Sequence, residues 1–124
     1  MSPEFQTVFD TLKQILTKYE QRTTVIADKP DYYALEAKQL VFRGKPMFFA
    51  AVRAGKAYVS FHLMPLYMNP KLNATISPAL KKRMQGKSCF NFKAVDRDLV
   101  KELKTLTAAG LESFKAIAAK AETN

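Results

Sequence analysis

The chain has no tryptophan, one cysteine, one histidine and four glycines among its 124 residues. A single cysteine excludes an internal disulfide and fits a reducing compartment. Histidine and cysteine show no repeated spacing of the kind that marks a metal site, so the sequence predicts neither a metal nor a cofactor. Nine phenylalanines and five tyrosines supply the large side chains for a core.

Acidic residues are missing from the middle of the chain. Residues 37–95 contain no Asp or Glu, whereas eleven Lys and Arg fall there. The two ends together hold nine basic and eleven acidic residues, so the formal net charge of +9 comes from the middle. A field of this sign favours anionic partners.

Long apolar runs are also missing, although 48% of the residues are hydrophobic and 25% are charged. No run approaches the ~20 residues that span a bilayer, and residues 1–4 do not begin a basic segment followed by an apolar one. We therefore expect no signal peptide and no membrane association, in a cytoplasmic protein. The length suits one core, which predicts a single domain over residues 1–124.

Two amphipathic helices are predicted at the ends. Ser2 suits an N-cap and Pro3 the first helical position, and apolar residues then recur every three or four positions as far as Tyr19. Asp96 can cap a last long helix, with Gly110 on its apolar stripe as a close contact or a kink. Residues 119–124 are expected to form a frayed tail.

Strand patterns lie between these helices. Residues 32–42, 47–52 and 58–64 predict a meander, although the first half of 32–42 has helical propensity. A short helix over 79–85, capped by Gly86, precedes a strand over 87–92. The fold class is α+β: a single two-layer domain with an antiparallel sheet of about four to five strands. The N- and C-terminal helices pack mainly on one face of it.

Alternation along 58–64 and 87–92 assigns a set of polar side chains to the face away from the core. The predicted ligand-binding residues there are Tyr58, Ser60, His62, Lys87, Cys89 and Asn91. His62 and Cys89 are also candidates for a nucleophile pair, with only Ser60 or Asn91 available to orient it. A soft metal ion on His62, Cys89 and nearby methionines has no ligand spacing in its favour.

A short basic segment precedes the last predicted strand. Its candidate anion patch comprises Lys81, Lys82, Arg83 and Lys87, and a solvated helix face is the alternative interpretation. Nucleic acid is the less favoured partner, because the aromatic residues alternate toward the core and form no stacking platform.

Three motifs together resemble the YdhG-like family of small bacterial domains, mostly of unknown function. They are Gly-Lys-Pro at 44–46, Met-Pro at 64–65 that ends a strand, and Gly-Lys-Ser-Cys-Phe-Asn-Phe at 86–92. The resemblance covers roughly residues 38–110 and implies an α+β domain. One member of that family has been proposed as a frataxin-like iron chaperone, an activity that requires surface carboxylates to hold a hard cation.

The sequence therefore predicts a non-enzymatic binding module for a small anionic ligand or an acidic partner. A hydrolase or transferase that uses Cys89 and His62 is the alternative. An intracellular iron chaperone is a further alternative, which rests on the family resemblance alone.

Overall fold

The computed structural model describes residues 2–42 and 45–123, without the side chains of 39–42, 45 and 117–123. The tip of the predicted Gly-Lys-Pro turn, at Arg43 and Gly44, lies outside the described residues, as does Asn124. The predicted frayed tail stays a prediction: its backbone is helical as far as Thr123, and its side chains fall outside the description.

The observed order is helix, four strands, three short helices, two strands, helix. The elements are α1 (Pro3–Thr17), β1 (Thr23–Lys29), β2 (Tyr32–Phe42), β3 (Lys45–Ala54), β4 (Val59–Leu63), α2 (Pro65–Met68), α3 (Pro70–Asn73), α4 (Pro78–Lys81), β5 (Met84–Gln85), β6 (Cys89–Phe92) and α5 (Arg97–Thr123). One sheet in the order β1-β2-β3-β4-β6-β5 contains all six strands, and every neighbouring pair is antiparallel. The α+β prediction is confirmed, with more strands than the four to five expected.

The helices share one face of the sheet. Helix α1 packs on β3 and β4, and α5 packs on β2. A single core cluster joins the apolar stripes of both helices to inward residues such as Phe61, Leu63 and Phe90, each 0% exposed. The opposite face carries no described helix, and the polar side chains of β4 and β6 lie on it. None of the helices in the described ranges is long and apolar enough to cross a membrane.

The N-caps predicted for the two terminal helices are present. The Ser2 hydroxyl accepts a hydrogen bond from the backbone N–H of Phe5, with Pro3 opening α1. The Asp96 carboxylate accepts one from the N–H of Leu99. These contacts satisfy donors that the first turn of a helix leaves unpaired.

Two local predictions are wrong. No strand is predicted before residue 32, yet Thr23–Lys29 form β1, because antiparallel pairing with β2 adds to a short strand-forming run. The short helix ends at Lys81 and does not reach residue 85, since Met84 and Gln85 pair with β6. Gly86 does have a positive φ of 76°, but it opens the β5–β6 turn and caps no helix.

A β-bulge explains why β3 is apolar without alternation. Ala50 lies opposite Leu35 while Phe48 lies opposite Glu36, so Phe49 is the extra residue. Phe49 is 0% exposed and contacts Tyr19 and Phe114, whereas Phe48 lies on the other face beside His62. The bulge thus places two consecutive residues, Phe49 and Ala50, on the core face, while Phe48 lies on the other face.

Candidate polar face of the sheet

Pairing of β4 with β6 brings four predicted residues together. Ser60 lies opposite Asn91, and His62 lies opposite Cys89. The Ser60 hydroxyl donates to the Asn91 side-chain oxygen at 2.9 Å, which joins the two strands beyond their backbone ladder. These residues are half-buried, so the face is ordered and still reachable from solvent.

A short polar network extends from this pair. The Asn91 amide nitrogen donates to Gln85 Oε1 at 2.9 Å, and the Tyr58 hydroxyl donates to the same oxygen at 3.3 Å. The sequence did not indicate a role for Gln85, because residues 79–85 are predicted to form a helix. The network therefore spans β4, β5 and β6, and Gln85 is its common acceptor.

Arg53 supplies a cation to this face, and sequence reasoning missed it. It lies opposite Ser60 on one side and opposite Tyr32 on the other. Its guanidinium carbon is 4.5 Å from the centre of the Tyr32 ring, a stacked arrangement that orients the fork while leaving its edges exposed. The sequence signal for it is weak, because the predicted strand ends at residue 52 and its apolar residues show no alternation that would assign Arg53 to a face.

Small residues form the floor beside the polar network. Ala34 and Ala51 are opposite each other and are 0% and 5% exposed, although none of the described helices lies on this face. Phe48 and His62 stand on the side away from Arg53, with ring centroids 4.9 Å apart. The face therefore has small residues at its centre, an aromatic pair on one side, and Arg53 with the polar network on the other.

The pKa values of Cys89 and His62 are both shifted in the direction that disfavours a thiolate–imidazolium ion pair. Burial raises the pKa of the Cys89 thiol, and a hydrogen bond involving Ser88 only partly opposes this. Burial lowers the pKa of His62. A thiolate–imidazolium pair requires the opposite shifts. No hydrogen bond joins the two side chains in the described part of the chain, so nothing in the geometry favours the hydrolase or transferase alternative.

Cys89 is expected to react slowly with iodoacetamide at pH 7 in the native protein and faster once denatured. Because burial raises its pKa, the thiol stays protonated at neutral pH, and the native rate should climb as the pH rises toward 9. The measurement is mass-spectrometric alkylation kinetics, with His62→Ala as the control, which should leave the rate unchanged. A native thiol that reacts faster than the denatured one at pH 7, and loses that rate in His62→Ala, would support the catalytic alternative.

Lys87 lies outside the polar network. It is in the β5–β6 turn, with its ammonium 6.0 Å from the centre of the Tyr67 ring, and its carbonyl accepts a hydrogen bond from Asn73. The sequence predicted that it would share the face of Cys89 and Asn91, but β6 begins only at Cys89. Its role as a ligand-binding residue stays a prediction.

The other three residues of the predicted anion patch are exposed. Lys81 is the last residue of α4, and Lys82 and Arg83 follow it. Lys82 and Arg83 line a shallow groove together with Asp96, whose carboxylate lowers the positive potential there. No salt bridge involves these three basic residues within the described ranges.

The carboxylates that an iron site would need are dispersed or engaged. Both oxygens of Glu102 accept hydrogen bonds from Ser77, at 2.8 Å from its backbone nitrogen and 2.6 Å from its hydroxyl. Among the residues that the structure describes, no three His, Cys, Asp or Glu side chains lie close enough to hold a metal ion.

Comparison of the chain with protein-family models, curated proteins and solved structures found no match. The YdhG-like resemblance therefore stays a prediction, and function has to be inferred from the site.

Proposed function

We propose that the protein is a non-enzymatic binding domain that takes a small anionic ligand, or a single acidic group of a partner, on the polar face of the sheet. The observation that carries this proposal is the position of Arg53, stacked on Tyr32 and adjacent to Ser60. A guanidinium oriented by an aromatic ring binds a carboxylate or phosphate in a bidentate manner.

The polar network supplies a further hydrogen-bond donor on the same face as Arg53. Gln85 accepts twice through its oxygen, so its amide N–H groups remain available at the β5 end of the network, separated from β3 by β4 and β6. Phe48 and His62 would pack against an apolar or planar part of the ligand on the other side of the small residues. Sites of this type combine a few fixed polar groups with apolar surface.

The proposal differs from a polyanion surface in its expected salt dependence. A duplex or single strand contacts many phosphates, and each contact releases counterions, so affinity falls steeply with salt. One bidentate contact gives a shallow dependence. Asp96 lies beside Lys82 and Arg83 and lowers the positive potential that would attract a nucleic acid.

Arg53→Ala is expected to weaken the binding of inorganic phosphate at least about tenfold, which corresponds to about 1.4 kcal/mol of binding free energy. The measurement is a phosphate titration followed by amide resonances of the ¹⁵N-labelled protein. In the wild type, the resonances of Ser60, His62 and Asn91 should shift together, and the same residues should respond to a short glutamate-rich peptide.

Lys82→Ala with Arg83→Ala is the matched control, because both side chains are exposed cations away from the network. We expect this double change to leave phosphate binding within about twofold of wild type. Lys87→Ala tests whether the turn lysine assists. Shifts confined to residues 81–83, or a steep salt slope with an oligonucleotide that the double change abolishes, would overturn the proposal.

A further inference from the structure

Strand β1 is a long open edge of the sheet. The two edges are β1 and β5, and β5 has only two residues whereas β1 has seven. Within the described chain, the backbone of β1 pairs only with β2. An edge of this length presents unpaired N–H and C=O groups that can accept another strand, which natural proteins usually prevent by shortening or charging the edge.

The middle of β1 is apolar and exposed. Val25 and Ile26 are 40% and 46% exposed, although both are strand-forming. Val25 lies opposite Leu35, on the side of the sheet where the helices pack. Helix α1 reaches β1 through a salt bridge between Lys13 and Asp28 at 2.9 Å, yet Val25 stays exposed. Ile26 falls at a bulge and has no partner on β2. Two adjacent apolar side chains thus stand beside the open backbone edge.

Charge around this edge differs from the rest of the molecule. Residues 20–38, which include β1 and the first part of β2, contain four acidic and three basic residues. The following residues 39–95 contain ten basic residues and no acidic one. Two copies with a net charge of +9 repel each other least if they meet at the β1 edge.

We propose that β1 pairs in antiparallel fashion with β1 of a second copy across a two-fold axis, so that the two sheets join edge to edge. Asp28 and Lys29 lie at the same end of the strand. Antiparallel pairing therefore places them opposite the neutral threonine end of the other copy, and no like charges face each other. The bulge increases the local twist, which keeps the pairing short and the dimer weak and reversible.

Sedimentation velocity over a concentration series tests the dimer. The wild-type mass should rise from 14.0 kDa toward twice that value, and added salt should strengthen association by screening the repulsion between the two copies. Phosphate binding at Arg53 has the opposite salt dependence, so the two proposals can fail independently, and Arg53→Ala should still dimerise.

Val25→Lys with Ile26→Lys should weaken the dimer at least about tenfold. Val95→Lys is the matched control, because Val95 is 41% exposed and lies away from β1. Hydrogen exchange provides a readout without substitution, since the amides of residues 25–27 should gain protection as wild-type concentration rises. A wild-type mass that stays at 14.0 kDa, a dimer unaffected by the double change, or β1 occupied only by a strand of another protein would each overturn the proposal.

Discussion

Gly110→Val is expected to lower the free energy of unfolding by roughly 3 kcal/mol. A Cβ at this position would lie 3.0 Å from both Cβ and Cγ of Pro65, which opens α2 directly after β4. Contacts between carbon atoms are favourable at about 3.5–4.0 Å, so α5 or α2 would have to move. The sequence indicated either a close helix contact or a kink at Gly110. The close contact is confirmed, and it joins α5 to the ring of Pro65.

The Gly110→Ala variant separates the effect of helix propensity on stability from the effect of overpacking against Pro65. Alanine gains about 1 kcal/mol of helix propensity over glycine, while overpacking costs about 1–3 kcal/mol, so a smaller net loss is expected. Ala109→Val is the control, since Ala109 is exposed on the same turn and should lose less than about 1 kcal/mol. Urea denaturation of the three variants measures these values. Equal stabilities for Gly110→Val and Ala109→Val would contradict the steric explanation.

Glu102→Ala should cost roughly 2–3 kcal/mol of stability. Its carboxylate accepts both the backbone N–H and the hydroxyl of Ser77, while the Ser77 oxygen accepts from the N–H of Leu80 to cap α4. Without the carboxylate, a partly buried N–H loses its partner and the cap loses its orientation. Thermal or urea unfolding gives the value.

Glu102→Gln should recover part of this loss because one acceptor oxygen remains. Asp98→Ala, one turn earlier on α5 and exposed, should change stability little. If Glu102→Ala were as stable as Asp98→Ala, the link between α5 and α4 would not contribute to folding.

The parts of the fold that local chemistry determines were predictable. Helix α1 follows from Ser2, Pro3 and the apolar period, and the meander from β2 to β4 follows from strand composition and turns. Strand β1 was missed because its pairing with β2 overrides a weak local signal. The run from Leu35 to Lys38 became strand for the same reason, against its helical propensity.

The candidate site was half predictable. The alternation of side chains along β4 and β6 correctly placed four residues on one face of the sheet: Ser60, His62, Cys89 and Asn91. The placement of Arg53 on this face follows from the alternation of side chains along β3. The bulge at Phe49 changes that alternation, and the composition of the strand does not indicate a bulge. The position of Gln85 follows from a strand of only two residues, which is formed by pairing with β6 and has no local sequence signal of its own.

The polar face also depends on the order in which the chain closes. Strands β1 to β4 follow one another through short connections, whereas residues 64–88 separate β4 from β6. The contacts of Ser60 with Asn91 and of Tyr58 with Gln85 join the β4 side to residues beyond or late in that segment, whereas the contact of Asn91 with Gln85 lies within the β5–β6 hairpin. Closing a longer loop costs more chain entropy, so the β4–β6 ladder should form late in folding. A partly folded chain could retain the meander and its hairpins and still have no polar network, so binding at this face would report completion of the fold.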